Sequence, residues 1–169
     1  KRMARDKWIT GKGHGGVHLT ETGRAAAASV IRRHMLVEWL LVRILKTPVD
    51  QTHDEAHNLE HAISPQLEDR LKEILGNPRV CPHGNPFPGH EHVVSKWVSL
   101  TDIPVGEMVT VRRIHEFAED NHELLTFLIE NGLTAADMAG GAHADVYFMT
   151  AFGNQAEGLV ERGGVLYPA

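Results

Sequence analysis

At 169 residues, with 42% hydrophobic and 23% charged residues, the chain is sized for one ordinary domain or two small ones with a packed core. Its formal charge of −5 excludes a generally basic, nucleic-acid-coating protein, although not DNA contact through one locally basic module. No run of about 18 apolar residues offers a membrane span, no signal peptide is visible at the start, and the single cysteine, Cys81, excludes an internal disulfide and fits a reducing, cytoplasmic setting.

Residues 1–20 read as a short β-hairpin. Two brief strands, 8–10 and 17–20, flank Gly11-Lys12-Gly13-His14-Gly15-Gly16, a stretch too rich in glycine for helix. Lys1, Arg2, Arg5, Lys7 and Lys12 make this end basic. A long helix is expected over 22–46, where Ala25 to Ala28 favour helix and Ile31, Met35, Leu36, Leu40, Val42 and Leu45 supply an apolar surface. Thr47-Pro48 reads as cap and first position of a second helix running to 63, and Ser64-Pro65 repeats that signal for a third, ending near Leu75-Gly76. The stretch 77–94, with Pro78, Pro82, Pro86 and Pro88, reads as a loop and a domain boundary. Beyond it the texture changes to short strands, at 96–100, 108–114, 145–150, 158–161 and 165–167, with one short helix over 121–130. That pattern predicts a small β-barrel.

Chemistry concentrates on the second helix. His53, His57, Glu60 and His61 lie at offsets of 4, 7 and 8, which on a helix fall within roughly 60° of one another. His34 and Glu38 on the long helix are four apart and share a face. Such faces have no apolar role; imidazole and carboxylate together suit a divalent metal. Four ligands fill one tetrahedral site, so six suggest two sites. A zinc-protease motif is excluded because Asp54, not Glu, follows His53, and a ferritin-like pair because neither Glu38 nor Glu60 has a His three residues on. Cys81 lies in a proline-rich loop with no base beside it, so nucleophilic catalysis has little support. A metal-dependent hydrolase or a metal carrier using the same six residues stays open. A hydrolase needs a general base beside an open coordination position, and no spare acid is placed for it.

Three stretches together resemble the metal-dependent transcriptional regulators of the DtxR/MntR (diphtheria-toxin-repressor-like) family: Leu-Thr-Glu-Thr-Gly-Arg at 19–24, His-Asp-Glu-Ala-His-Asn-Leu-Glu-His-Ala-Ile-Ser at 53–64, and Cys-Pro-His-Gly-Asn-Pro-Phe-Pro-Gly at 81–89. Their order and spacing are similar over residues 3–90. The resemblance implies an α+β fold: a remnant winged-helix hairpin (1–21), a helical metal-binding and dimerisation domain (22–90), and a C-terminal SH3-like β-barrel (95–169). It divides the cluster into a primary site of His57, Glu60 and His61 and an ancillary site of His34, Glu38 and His53. Glu116 and Glu119 fall where the SH3-like domain lends ligands to the ancillary metal. The loop around Cys81 and His83 is expected to be structural rather than ligating. Of the expected helix-turn-helix only the wing lies in this chain, without the recognition helix or the N-terminal ligand that completes the primary site. His57 occupies a position that is Cys in iron-type and Glu or Asp in manganese-type members. The implied function is a homodimeric repressor, not an enzyme, that senses Mn(II) or Fe(II) and binds operator DNA through the missing module. Neither a membrane nor a small-molecule substrate is expected. Leu67, Leu71 and Ile74 are the expected dimer contact, and Lys7 and Lys12 could touch phosphate.

Overall fold

A computed structural model of the chain describes residues 2–11, 16–104, 111–131, 159–162 and 165–168. A one-turn helix α1 (Arg2–Arg5) precedes strands β1 (Ile9–Thr10) and β2 (His18–Leu19), which pair antiparallel with Ile9 opposite Leu19. The hairpin expected over 1–20 therefore starts only at residue 9. Helix α2 (Glu21–Trp39) begins where Thr20 caps it, the hydroxyl accepting from the Gly23 N–H at 3.0 Å. The same hydroxyl donates to the Lys7 carbonyl at 2.7 Å, which ties the hairpin to the helix start. Gly23 makes that junction possible, since a Cβ there would overlap the Trp8 carbonyl oxygen.

The long helix is not α-helical throughout. From Leu40 to Leu45 it widens into a π-helix and ends at Lys46, whose φ of 59° is left-handed. The expected second helix is likewise composite. A 3₁₀ turn (Val49–Gln51) leads into α3 (Thr52–Leu59), and a second 3₁₀ turn (Glu60–Ala62) closes it. Pro48, with ψ of 140°, is still extended, so Thr47-Pro48 does not start a helix as its sequence suggests. Thr52 makes the turn instead, its hydroxyl donating to the Val49 carbonyl at 2.8 Å. Helix α4 (Pro65–Ile74) follows the Ser64-Pro65 signal, with the Ser64 hydroxyl accepting from Leu67 N–H.

Packing explains the order. Met35, Leu36 and Trp39 of α2 face Leu71 and Leu75 and the loop residues Cys81 and Phe87. Val37 and Leu41 face Ala56 and Ile63 on the other side. Full burial of such side chains contributes about 1.5–3 kcal/mol each. Trp39 adds a polar tie, its indole N–H donating to the Val80 carbonyl at 2.7 Å while the Arg43 guanidinium lies 4.0 Å over its ring. Leu71 thus belongs to the intrachain core, whereas Leu67 and Ile74 are exposed.

The strand expected at 96–100 does not form. Backbone donors there are satisfied locally, Trp97 N–H by the Val94 carbonyl and Asp102 N–H by that of Ser99, and Leu100–Asp102 is a 3₁₀ turn. Of the strand expected at 108–114, residues 111–114 carry no strand pairing and the rest lies outside the described residues, as does 145–150. Helix α5 (Glu116–Glu119) has no counterpart among the expected elements; α6 (His122–Glu130) falls within the helix expected over 121–130, with the Asn121 side chain capping it. Val111, Ile114, Ala118, Leu125 and Leu128 form a separate apolar cluster. Strands β3 (Leu159–Arg162) and β4 (Val165–Pro168) pair antiparallel. The described elements are thus mainly helical with two small two-stranded sheets, and an SH3-like barrel would draw on residues outside the described set. No helix among the described residues is long and apolar enough to cross a membrane.

Candidate metal centre

Because residues four apart share a helix face, α2 presents His34 and Glu38 to His53 and His57 of α3. The imidazole rings gather with centroids 4.8 Å (His34–His53), 4.7 Å (His34–His57) and 4.7 Å (His53–His57) apart. Two groupings share His34.

The inner grouping surrounds Glu38, whose side chain is fully buried. Its Oε1 lies 3.3 Å from His34 Nε2, 3.7 Å from His53 Nδ1 and 3.3 Å from His83 Nδ1. Glu119 of α5 closes the far side, its Oε2 3.0 Å from His53 Nδ1 and 3.3 Å from His83 Nδ1. Cys81 Sγ is 4.0 Å from His83 Nδ1. His83 arrives on the loop after α4, which is fixed at this depth because Ile114 N–H donates to the His83 carbonyl at 2.8 Å. Gly84 lets the two backbones meet: its φ is +87°, and a Cβ there would overlap the Arg112 carbonyl oxygen.

The outer grouping surrounds Glu60. Its Oε2 lies 2.9 Å from His34 Nδ1 and 3.6 Å from His57 Nδ1, and its Oε1 lies 3.4 Å from His61 Nε2. Glu60 is buried, whereas the His57 and His61 side chains are 55% and 73% exposed. The 3₁₀ turn at Glu60–Ala62 advances each residue by ~120° rather than ~100°, so His61 departs from the face that His53 and His57 share.

Electrostatics follow the geometry. Burial opposes ionisation of Glu38, but His83, His34 and His53 outweigh it and hold the carboxyl well below its usual range. Burial, followed by the charge of Glu38, raises Glu119, with His83 and His53 opposing. The Glu119 carboxylate beside it, then that of Glu38, pushes His53 up to about 10. Burial opposes charging of His83, yet Glu119 and Glu38 carry it to about 9. Burial likewise opposes charging of His34, and Glu38 and Glu60 raise it. Burial lifts the Cys81 thiol far above its usual value. Buried carboxylates thus face imidazoles that they draw toward the charged form, in the place a divalent cation would take.

The donor set fits such a cation. Both Glu38 oxygens and His83 Nε2 are buried without an aligned hydrogen bond, although three imidazole nitrogens converge on Glu38 Oε1. Unsatisfied buried oxygens ringed by nitrogen donors are costly for a protein interior and natural for a coordination sphere. Ligand atoms within 4.8 Å of one another occur among the described residues for His34, Glu38 and His53; for Glu38, Cys81 and His83; for His34, His57 and Glu60; and for His53, His57 and Asp120.

Residues 20–89 match the family described as "Iron dependent repressor, metal binding and dimerisation domain". The chain is also 37% identical over 143 residues to the iron-dependent repressor IdeR of Mycobacterium leprae (strain TN), covering 78% of this chain and 62% of that protein. It belongs to the DtxR/MntR family.

Solved structures of that family agree in fold. A manganese-dependent transcriptional repressor in complex with manganese superposes with a TM-score of 0.64 at 33% identity, covering 79% of this chain and 61% of that one. The manganese regulator SloR superposes with a TM-score of 0.66 at 26% identity, covering 99% of this chain and 74% of that one. The chain spans about three-fifths of the curated relatives it matches.

Of the residues the DtxR/MntR resemblance singles out, His34, Glu38 and His53 lie together in the inner grouping, and His57 and Glu60 in the outer one. Among the described residues His61 reaches only Glu60. Glu119 enters the inner grouping, whereas Glu116, three residues earlier, is exposed and belongs to neither. His83 and Cys81, expected to be structural, line the inner grouping, and Asp120 Oδ1 approaches His53 Nε2 at 3.3 Å without having been foreseen. The Cys-x-His spacing in a short loop was the available signal for the first two; Asp120 had none.

Proposed function

We propose that this chain is the metal-sensing and dimerising portion of a DNA-binding transcriptional repressor that responds to Mn(II) or Fe(II) and controls metal homeostasis. The observation that carries the reading is the inner grouping, a carboxylate buried without an aligned hydrogen bond at the meeting point of three imidazoles. The names of the relatives support the metal and the regulatory role: IdeR is an iron-dependent repressor, and the structural relative is a manganese-dependent one.

His34, Glu38, His53 and Glu119 hold one ion, with His83 and Cys81 within reach. His57, Glu60 and His61 hold the second, completed from the N-terminal DNA-binding module. A divalent ion bound there supplies a positive centre that draws carboxylates and imidazoles of separate segments together. Glu60, buried between the two groupings, holds His34 through Nδ1 and leaves Nε2 directed at Glu38. Glu119 fastens residues 111–131 onto the helices, in keeping with an SH3-like C-terminal domain. Because the ions complete an arrangement that DNA also selects, metal and operator tighten each other's binding. A twofold dimer suits a pseudo-palindromic operator.

Calorimetric titration with Mn²⁺ tests the ligand sets, and metal-dependent retention of promoter DNA by the full-length protein tests the role. Glu38→Ala and His53→Ala are expected to remove one binding event. His57→Ala and Glu60→Ala are expected to abolish metal-dependent DNA retention, and His34→Ala only to weaken it. Undiminished retention by all three of the last variants would refute the two-site reading.

A further inference from the structure

Glu119 reaches the inner grouping from a helix of only four residues, too short to hold a carboxylate in place by itself. Its two oxygens have different partners. Oε2 faces His53 and His83. Oε1 accepts from the side-chain amide of Asn85, two residues beyond His83 on the same loop. Asn85 is 1% exposed and its amide is fully used. Nδ2 donates both hydrogens, to Glu119 Oε1 and to the Ile114 carbonyl at 2.9 Å, and Oδ1 accepts from Arg113 Nε–H. These partners allow one orientation of the amide only. Turned over, its oxygen would meet a carbonyl and a carboxylate while its NH₂ met a guanidinium.

We infer that Asn85, oriented by Arg113, is the positioning residue that makes Glu119 a metal ligand: it occupies one carboxylate oxygen so that the other is presented to His53 and His83. The inference rests on the reading of Glu119 as a ligand proposed above. Partners of this kind, hydrogen-bonded to a ligating carboxylate, set ligand orientation. Arg113 and Ile114 lie in the segment that leads into α5, so the amide that aims the carboxylate also reports where that segment sits. The metal site and the docking of residues 111–119 are thereby one hydrogen-bonded unit.

The test is a double-mutant cycle on the full chain, read by Mn²⁺ calorimetry and by the visible spectrum of bound Co²⁺. Asn85→Ala is expected to weaken Mn²⁺ binding about 10- to 100-fold and to give the Co²⁺ spectrum of Glu119→Ala. Asn85→Asp keeps the shape but turns an acceptor toward Glu119 and is expected to lose as much. Arg113→Gln, with Asn85 intact, carries the same cycle if the Asn85 variants do not fold. In a Glu119→Ala background each substitution is expected to change affinity by less than about twofold, because interaction partners are non-additive. Equal losses with and without Glu119 would overturn the inference, showing a structural role for Asn85 alone. Wild-type affinity and spectrum in Asn85→Ala would overturn it while leaving Glu119 a ligand. Wild-type affinity in Glu119→Ala would instead overturn the reading on which the inference rests, and the inference with it.

Discussion

Replacing Gly84 with alanine separates the contribution of the loop backbone from that of the ligands. The residue sits at φ +87°, a conformation that costs an L-residue about 1–2 kcal/mol. Its new Cβ would overlap the Arg112 carbonyl oxygen and lie 2.8 Å from Arg113 Cα, where ordinary contacts begin at 3.4 Å. Both obstacles are backbone, so no rotamer relieves them, and the 111–114 segment must lift from the loop. Lifting it breaks the bond from Ile114 N–H to the His83 carbonyl at 2.8 Å and that from Asn85 Nδ2 to the Ile114 carbonyl at 2.9 Å. Each is worth about 1 kcal/mol net. The expected loss is therefore about 3–4 kcal/mol of docking free energy for the segment, enough to expose it in a substantial fraction of molecules. Hydrogen exchange of the Ile114 amide, followed in metal-free and Mn²⁺-loaded protein, reads this directly. Protection is expected to fall by about two to three orders of magnitude in the metal-free protein while α2 and α4 keep theirs. Protection unchanged within about threefold, with native urea stability, would refute the claimed backbone contact.

Three further outcomes follow from the same structure. Trp39→Phe is expected to cost about 1–2 kcal/mol in urea denaturation, from the lost bond to the Val80 carbonyl and the lost Arg43 stacking; a loss below the error of the fit would contradict it. Ser64→Ala is expected to cost about 1 kcal/mol through the lost cap on Leu67 N–H, in the same assay. With metal chelated, stability is expected to decline with alkalinity. His53 and His83 titrate in the folded chain at about 10 and about 9, above their unfolded value of about 6.5. Their stabilisation is thus complete below about pH 6.5 and lost as pH rises through 9 to 10. Melting temperatures across pH 6.5–10 check the sign, and a rise or a plateau would contradict it. Mn²⁺ affinity is expected to climb over the same interval as the two imidazoles release their protons.

What the sequence discloses of the site is what helix geometry dictates locally. His34 with Glu38 and His53 with His57 are four apart, and the structure gathers the three rings with Glu38 against His34 and His53. His61 escapes the same rule because the last turn tightens to 3₁₀, a change of hydrogen bonding that residue type does not announce. The approach of His83 to Glu38 depends on a glycine fitting against Arg112, a contact between segments 28 residues apart that no local pattern announces. Glu119 and Glu116 look alike in the sequence, and the orientation of one turn of helix decides between them. The expected strand at 96–100 has suitable residues, but alternation says nothing about whether a neighbouring edge exists, and the backbone bonds to itself there. Of the two caps read from the sequence, Ser64 acts as its side chain suggests, while Thr47 does not, because the chain remains extended through Pro48.

The π-helix from Leu40 to Leu45 amounts to a spare residue lodged in a helix. His34 and Glu38 lie upstream of it and the turn to α3 lies downstream, so chain length can vary there without disturbing the metal face. Deleting one residue in this stretch would restore regular winding while the faces on either side keep their register, because the wide turn takes up one extra residue. A residue lost between His34 and Glu38 would instead turn one ligand away from the other by ~100°. One residue more or less is therefore better tolerated within the wide turn than before it, and the helix carries its own expansion joint between the ligands and the loop that returns the second set.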